Sequence, residues 1–211
     1  MSAEIAKVAE LVEKGKGKLV GAAVQEALDA GCDPTDILNK GMIEAMGVVG
    51  EKFKNNEIFV PEMLVAARAM KKGVEVVKPH LGDGSAAVKG KLIIGTVQGD
   101  LHDIGKNLVS MMIESAGFEV IDLGVDVPKE KFIEGVSDPD VVLVGCSALL
   151  TTTMPALRET VEALNQLPNR SQFMIMVGGA PVTQEFADEI GADIYTEDAA
   201  AAAEAAKAAV A

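Results

Sequence analysis

The sequence predicts an α/β protein made of a four-helix bundle followed by a five-stranded parallel sheet covered by helices. Two rhythms in the chain predict this. Up to residue 81 the apolar residues recur at helical spacing, and beyond residue 90 short β-rich runs alternate with helical ones. Between them the segment 82–90, Gly-Asp-Gly-Ser-Ala-Ala-Val-Lys-Gly, is small and polar and reads as a linker. The expected domains are therefore residues 1–81 and 91–211, joined by 82–90.

In the first half, Val8, Leu11 and Val12 open the pattern, and Leu19, Val20, Ala23, Val24, Ala27 and Leu28 continue it. Asp33 is an expected N-cap, with Pro34 at the first helical position of a third helix carrying Ile37, Leu38, Met42, Ile43, Met46 and Val49. Asn55-Asn56 interrupts, and Pro61 opens a fourth helix carrying Met63, Leu64, Ala67, Met70, Val74 and Val77. Four amphipathic helices with short turns form a bundle. In the second half, strands are expected at 92–97, 120–123, 141–144, 173–177 and 192–195. Helices fit at 104–117, 128–136, 154–166 and 181–190, with a last one from about 198. Alternating β and α segments of this kind build a parallel sheet.

Composition excludes several functions. The formal net charge of −13 argues against a nucleic-acid partner, which needs clustered Lys and Arg. No run of 18 apolar residues and no basic–apolar leader is present, so no membrane span is expected and the location expected is cytoplasmic. Cys32 and Cys146 have no metal-ligand spacing and read as small buried side chains.

Ligands of open parallel sheets bind outside the carboxyl ends of the strands. At that edge the first strand runs into Gly99-Asp100-Leu101-His102-Asp103-Ile104-Gly105, the third into Gly145-Cys146-Ser147-Ala148-Leu149, and the fourth into Gly178-Gly179. Asp100, two residues before His102, is placed to orient the imidazole, as carboxylates do for metal-bound histidines. No second His or Cys stands at zinc-ligand spacing, and His80 reads as a surface residue. A metal on His102 would therefore need a cofactor to supply most other ligands. Gly105 sits just inside a helix, where glycine costs about 1 kcal/mol relative to alanine. Close approach of a ligand is one reason to accept that cost, and Gly178-Gly179 likewise suggests bare backbone facing something bulky.

Taken together, Asp100-x-His102-x-x-Gly105, Ser147-Ala148-Leu149 and Gly178-Gly179 resemble the cobalamin-binding signature, with intervals of 41 residues (106–146) and 28 residues (150–177) that suit it. The resemblance implies a Rossmann-like, flavodoxin-like domain holding cobalamin or a related corrinoid in the base-off/His-on mode. His102 would be the lower cobalt ligand, and Asp100 would bond its far nitrogen. Gly105 and Gly178-Gly179 would flank the displaced nucleotide tail, and Ser147 would bond its base. Asp103, Ile104, Leu149 and Thr151 would add cofactor contacts. Relatives with an Asp–His–Ser relay carry the last hydroxyl at the position of Thr153, whose methyl group distinguishes it from that pattern.

A helical bundle ahead of such a domain is similar to cobalamin-dependent methionine synthase and to the small corrinoid proteins of methylamine, betaine, methanol and methoxyaromatic metabolism. Phe53 and Val60 match a Phe/Leu pair that caps the methyl group in methionine synthase, so the bundle is expected to act as a cap. The implied function is methyl carriage. Cob(I) accepts a methyl group through a substrate-specific methyltransferase, and methyl-Co(III) yields it to a second methyltransferase acting on tetrahydrofolate, a pterin or a thiol. His102 would detach in each cycle, with Asp100 as the counter-charge of the freed ring. A reductive activation protein is a further expected partner. The resemblance covers almost the whole chain and leaves no separate catalytic domain. The alternatives are the cobalamin subunit of a mutase, which lacks such a bundle as a family, and a cobalamin-dependent sensor, which would need a DNA-binding region.

Overall fold

The computed structural model describes residues 2–81 and 90–210; the expected linker, apart from Gly90, lies outside the described residues. The chain divides into two compact units, one helical and one built on the sheet.

In the helical unit, α1 (Ala3–Glu13) starts at Ser2, whose hydroxyl accepts the Ile5 N–H at 3.3 Å. α2 (Gly17–Asp29) follows. The third run is α3 (Pro34–Leu38), a π-helical turn (Asn39–Ile43) and α4 (Glu44–Lys54) in succession. Asp33 caps it as expected, its carboxylate accepting the Thr35 and Asp36 N–H groups at 2.8 and 3.1 Å. Such a cap contributes about 1 kcal/mol. α5 (Val60–Val77) begins one residue before Pro61, and the Glu62 carboxylate accepts the Phe59 N–H at 2.8 Å. A 3₁₀ turn, Lys78–His80, ends the run with His80 exposed. α1 packs on α2 and α4, and α2 packs on α5. Ile5, Val8, Val12, Val20, Val24, Ile37, Met42, Met46, Met63 and Met70 are buried. The π-turn is the one departure from the expected four helices: it inserts a residue without breaking the apolar stripe.

The second unit holds β1 (Lys91–Val97), β2 (Glu119–Val127), β3 (Val141–Ser147), β4 (Met174–Gly178) and β5 (Ile194–Tyr195). All pairings are parallel, in the order β2-β1-β3-β4-β5. The helices are α6 (Ile104–Ser115), α7 (Lys129–Gly135), α8 (Met154–Asn165), α9 (Gln184–Ile190) and α10 (Ala199–Ala209). β1 and β3 are buried on both faces through Leu92, Ile93, Ile94, Val97, Val141, Leu143 and Val144, as central parallel strands are. α9 opens at Gln184 rather than 181 and α6 ends at Ser115 rather than 117, and three strands differ from expectation. β2 runs on to Val127 rather than 123 because irregular pairing, Gly95 with Gly124 and Val97 with Val127, carries it past two positive-φ residues. β3 extends to Ser147, and β5 is only two residues long.

The strand order reverses direction between β1 and β3. Chains leaving the carboxyl ends of these two strands diverge, which opens a crevice there. Among the described residues, no helix is long and apolar enough to cross a membrane.

Candidate functional site at the ends of strands β1 and β3

Asp100 is the centre of the crevice. It is fully buried, and each of its carboxylate oxygens receives protons from a different side. Oδ1 accepts the His102 N–H at 3.1 Å and lies 2.8 Å from His102 Nδ1. Oδ2 accepts the Leu149 N–H at 2.7 Å, the Leu150 N–H at 3.3 Å and the Thr153 hydroxyl at 2.8 Å. Burial by itself would raise the Asp100 pKa. The bonds from the Leu149 N–H, the His102 ring, the His102 N–H and the Thr153 hydroxyl outweigh it and hold the carboxyl well below the usual carboxylate range.

An ionised carboxylate only accepts, so Nδ1 of His102 carries the proton and, in the neutral imidazole, the lone pair stands on Nε2. The ring is half exposed while its partner is buried, which leaves Nε2 as the ring atom that could take a ligand. Thr96, fully buried on β1, donates its hydroxyl to the His102 carbonyl at 2.8 Å and holds the loop from beneath. Thr153 stands at the N-cap position of α8, where a threonine hydroxyl ordinarily accepts a helix N–H. Here it bonds Asp100 instead and makes no cap bond. Its methyl group does not keep the hydroxyl from Asp100.

Large apolar side chains surround this polar core on the outside: Leu101 is 71% exposed, Ile104 85%, Leu149 40% and Leu150 39%. Side chains of this size, flanking a half-exposed imidazole on two loops, suit a bulky and largely apolar partner. Gly105 fits the same description. It is exposed in the first turn of α6, and an added Cβ would meet no protein atom within 4 Å. Packing within the protein therefore does not account for a glycine there.

Gly179 is different. Its φ is +130°, and a Cβ there would fall 1.8 Å from the Ala148 carbonyl oxygen. Glycine is demanded by the β3 loop itself, so backbone approaching backbone is a reason for it beside the expected one, room for something bulky. The Ala148 N–H donates to the Gly178 carbonyl at 3.2 Å beside it, and Gly178 has no such crowding. Ser147, half-buried at the end of β3, pairs with Thr96 and Gly178, and its hydroxyl makes no hydrogen bond among the described residues. The Asp103 carboxylate, immediately before α6, accepts from the Asn107 amide in its first turn at 3.0 Å, while Thr151 is exposed in the β3–α8 loop. The sheet unit thus brings Asp100, His102, Leu149 and Thr153 into one bonded group.

Phe53 and Val60 belong to the helical unit. Phe53 is half-buried near the end of α4, and Val60 opens α5 at 39% exposure. Phe59 beside it is 65% exposed, a larger apolar surface that spacing to Phe53 did not single out. Sequence reading also missed Thr96, Leu150, Asp126 and Lys106. Lys106 Nζ is buried against Asp122 at 2.6 Å, and its place immediately after Gly105 was the only signal available. Cys146 is buried, as expected, and burial pushes its thiol well above the ordinary range; Cys32 is only partly buried. Among the described residues no three His, Cys, Asp or Glu side chains gather as a metal site. A metal at His102 would have to bring its own ligand set.

Comparisons with known proteins identify the family. Residues 90–206 match the B12 binding domain family, and residues 4–78 match a second B12 binding domain family. The trimethylamine corrinoid protein of Methanosarcina barkeri is 45% identical over 197 residues, spanning 92% of this chain and 91% of that protein. Dimethylamine corrinoid protein 1 of Methanosarcina acetivorans is 44% identical over 93% of this chain and 86% of its own length. Among solved structures, the methanol:cobalamin methyltransferase complex from M. barkeri contains a chain that superposes with a TM-score of 0.86 at 32% identity, covering 98% of this chain and 79% of that one. By sequence over both of its halves, and by fold, this chain belongs to the B12-binding corrinoid proteins.

Proposed function

We propose that this protein binds a cobalamin-type corrinoid through Nε2 of His102 and carries methyl groups between methyltransferases. The observation that carries the reading is the Asp100–His102 pair. A buried, fully bonded carboxylate fixes the imidazole tautomer and leaves Nε2 on a half-exposed ring bordered by exposed Leu101, Ile104, Leu149 and Leu150. Gly105, with space where a Cβ would stand, supports the passage of a ligand along the start of α6, and the Ser147 hydroxyl, unbonded among the described residues, supports a polar contact beside it.

The bound corrinoid would supply the cobalt that takes up and releases the methyl group; the protein supplies ligation, orientation and shielding. Asp100 and Thr153 keep His102 oriented, and Asp103, Ile104, Leu149, Thr151, Gly178 and Gly179 contribute the surrounding surface. The helical unit, residues 1–81, would act as the cap, with Phe53 and Val60 facing the methyl group and residues 82–90 as the linker. Methylamine-type donors are favoured over methanol by the higher identity to the tri- and dimethylamine corrinoid proteins. A partner methyltransferase is supported by the complex in which the structural relative was solved. A second methyltransferase, passing the methyl group to a folate, pterin or thiol, and a reductive activation protein complete the cycle.

The test is anaerobic reconstitution followed by methylation. The protein should retain one corrinoid per chain through gel filtration, then accept methyl groups from a methylamine when a methylamine methyltransferase is added. Retention without methylation by any methylamine would overturn the donor class, and failure to retain corrinoid would overturn the reading as a whole.

A further inference from the structure

The loop that carries His102 is held from a third side, by a residue outside the signature. Asp126, near the end of β2, has φ +53°, a left-handed conformation that only asparagine and aspartate, apart from glycine, adopt at modest cost. It makes two reciprocal bonds with the loop after β1. Its Oδ1 accepts the Gly99 N–H at 2.7 Å, and its own N–H donates to the Asp100 carbonyl at 2.9 Å. Gly99 is itself left-handed, at φ +82°. The turn that aims Asp100 inward therefore exists as a matched pair of unusual backbone conformations, joined by two hydrogen bonds across strands. Thr96 holds the other end, at the His102 carbonyl.

We propose that Asp126 is a positioning residue for the His102 loop, acting through Gly99 and the Asp100 carbonyl to keep the Asp100 carboxylate under the imidazole. The inference rests on His102 being the cobalt ligand only for its functional consequence; the mechanical claim concerns the protein alone. The side-chain acceptor fixes the peptide entering Gly99, the residue before Asp100, and the main-chain donor fixes the peptide leaving Asp100, so the two bonds bracket it. With both fixed, Asp100 Oδ1 is presented to the His102 N–H and ring, and Oδ2 to the β3–α8 loop. The requirement is for an acceptor at Oδ1 on a residue that tolerates left-handed backbone, which Asn also meets.

Three variants separate these requirements. Asp126→Asn keeps the acceptor and the backbone preference. Asp126→Gly keeps the backbone freedom and removes the acceptor. Asp126→Ala removes both. The first readout is hydrogen exchange of the Gly99 and His102 amides in corrinoid-free protein. Exchange at both should accelerate about tenfold in the Gly variant, further in the Ala variant, and stay near the parent rate in the Asn variant. The second readout is the share of cob(II) protein showing histidine nitrogen splitting by EPR at saturating corrinoid, which should fall in the same order. A merely structural role would lower thermal stability without moving that share. Faster exchange at Gly99 with an unchanged His102 amide would overturn the proposal, as would an Asn variant as loose as the Gly variant. If the parent protein itself shows benzimidazole splitting, the ligand reading fails, while the exchange data still decide the role of Asp126.

Discussion

The two units of this protein are held together by different physics. In the helical unit, contacts between elements are mostly aliphatic and methionine packing: Val8, Val20, Val24, Met42, Met46, Met63 and Met70 are buried, and cross-helix ion pairs such as Lys7–Glu26 and Lys52–Glu13 lie near the surface. At the carboxyl edge of the sheet, one buried carboxylate accepts from two loops, and left-handed residues set the turns. Methionine packing adapts to substitution, whereas a saturated polar network does not. Under the proposed function the difference matches two tasks. The sheet edge would suit a ligand whose geometry must be repeated in every cycle. The helical unit would suit a cover whose packing can adjust.

The largest break in this comparison is expected from Gly179→Ala. A Cβ 1.8 Å from the Ala148 oxygen, on backbone at φ +130°, forces the β3 and β4 loops apart. The expected loss is about 3 kcal/mol in chemical denaturation. A loss under about 1 kcal/mol would mean that the edge is far softer than its bonds imply.

Asp100→Asn comes next. All the groups around Asp100 donate, so an amide must turn its NH₂ toward either the Leu149 and Leu150 N–H groups or His102 Nδ1. The first arrangement strands buried donors at about 1–3 kcal/mol each. The second imposes the tautomer with the proton on Nε2, where a metal would bind. The effect has a defined pH dependence. Because the folded Asp100 pKa lies below its ordinary value of 3.8, its contribution is complete above that value and is lost as pH falls through the folded pKa. The part of the stability gap that comes from Asp100 ionisation should therefore be lost only as pH falls below about 3.8. A gap that closes near neutral pH would contradict an ionised, donor-saturated Asp100.

Met42→Leu, in the fully buried core of the helical unit, should cost less than about 1.5 kcal/mol. A cost matching that of Gly179→Ala would remove the contrast between the units. The smallest effect is the most specific. Gly105→Ala should stabilise the corrinoid-free protein by up to about 1 kcal/mol, because the helix gains an alanine and the Cβ meets nothing. The same variant should weaken corrinoid retention. A change of equal sign in both measurements would mean that Gly105 serves the fold and not the ligand.

Much of this was legible in the chain because the signals were local. Asp33-Pro34 announced a helix start, and the strand periodicity placed β1, β3 and β4 within a few residues. The Asp100-x-His102 pair is bonded across two residues. What escaped detection was held at long range. The Gly99–Asp126 bond spans 27 positions and the Leu150–Asp100 bond spans 50, and neither residue type advertises its partner. Thr96 looked like any β-branched strand residue until its hydroxyl was seen on the His102 carbonyl. The π-turn at Asn39–Ile43 was hidden because an inserted residue leaves the apolar spacing nearly unchanged. Gly179 was noticed for a ligand, but a further constraint on it comes from Ala148, thirty-one positions earlier by number, and no local pattern encodes that approach.

The central claim, that His102 supplies the lower cobalt ligand, is tested most directly by EPR of the anaerobically reconstituted cob(II) form, with and without nitrogen-15 histidine. The prediction is nitrogen splitting that changes from triplets to doublets on labelling and disappears in His102→Ala but not in His80→Ala. Triplets that persist with labelled histidine would show the benzimidazole still on cobalt and would contradict the claim.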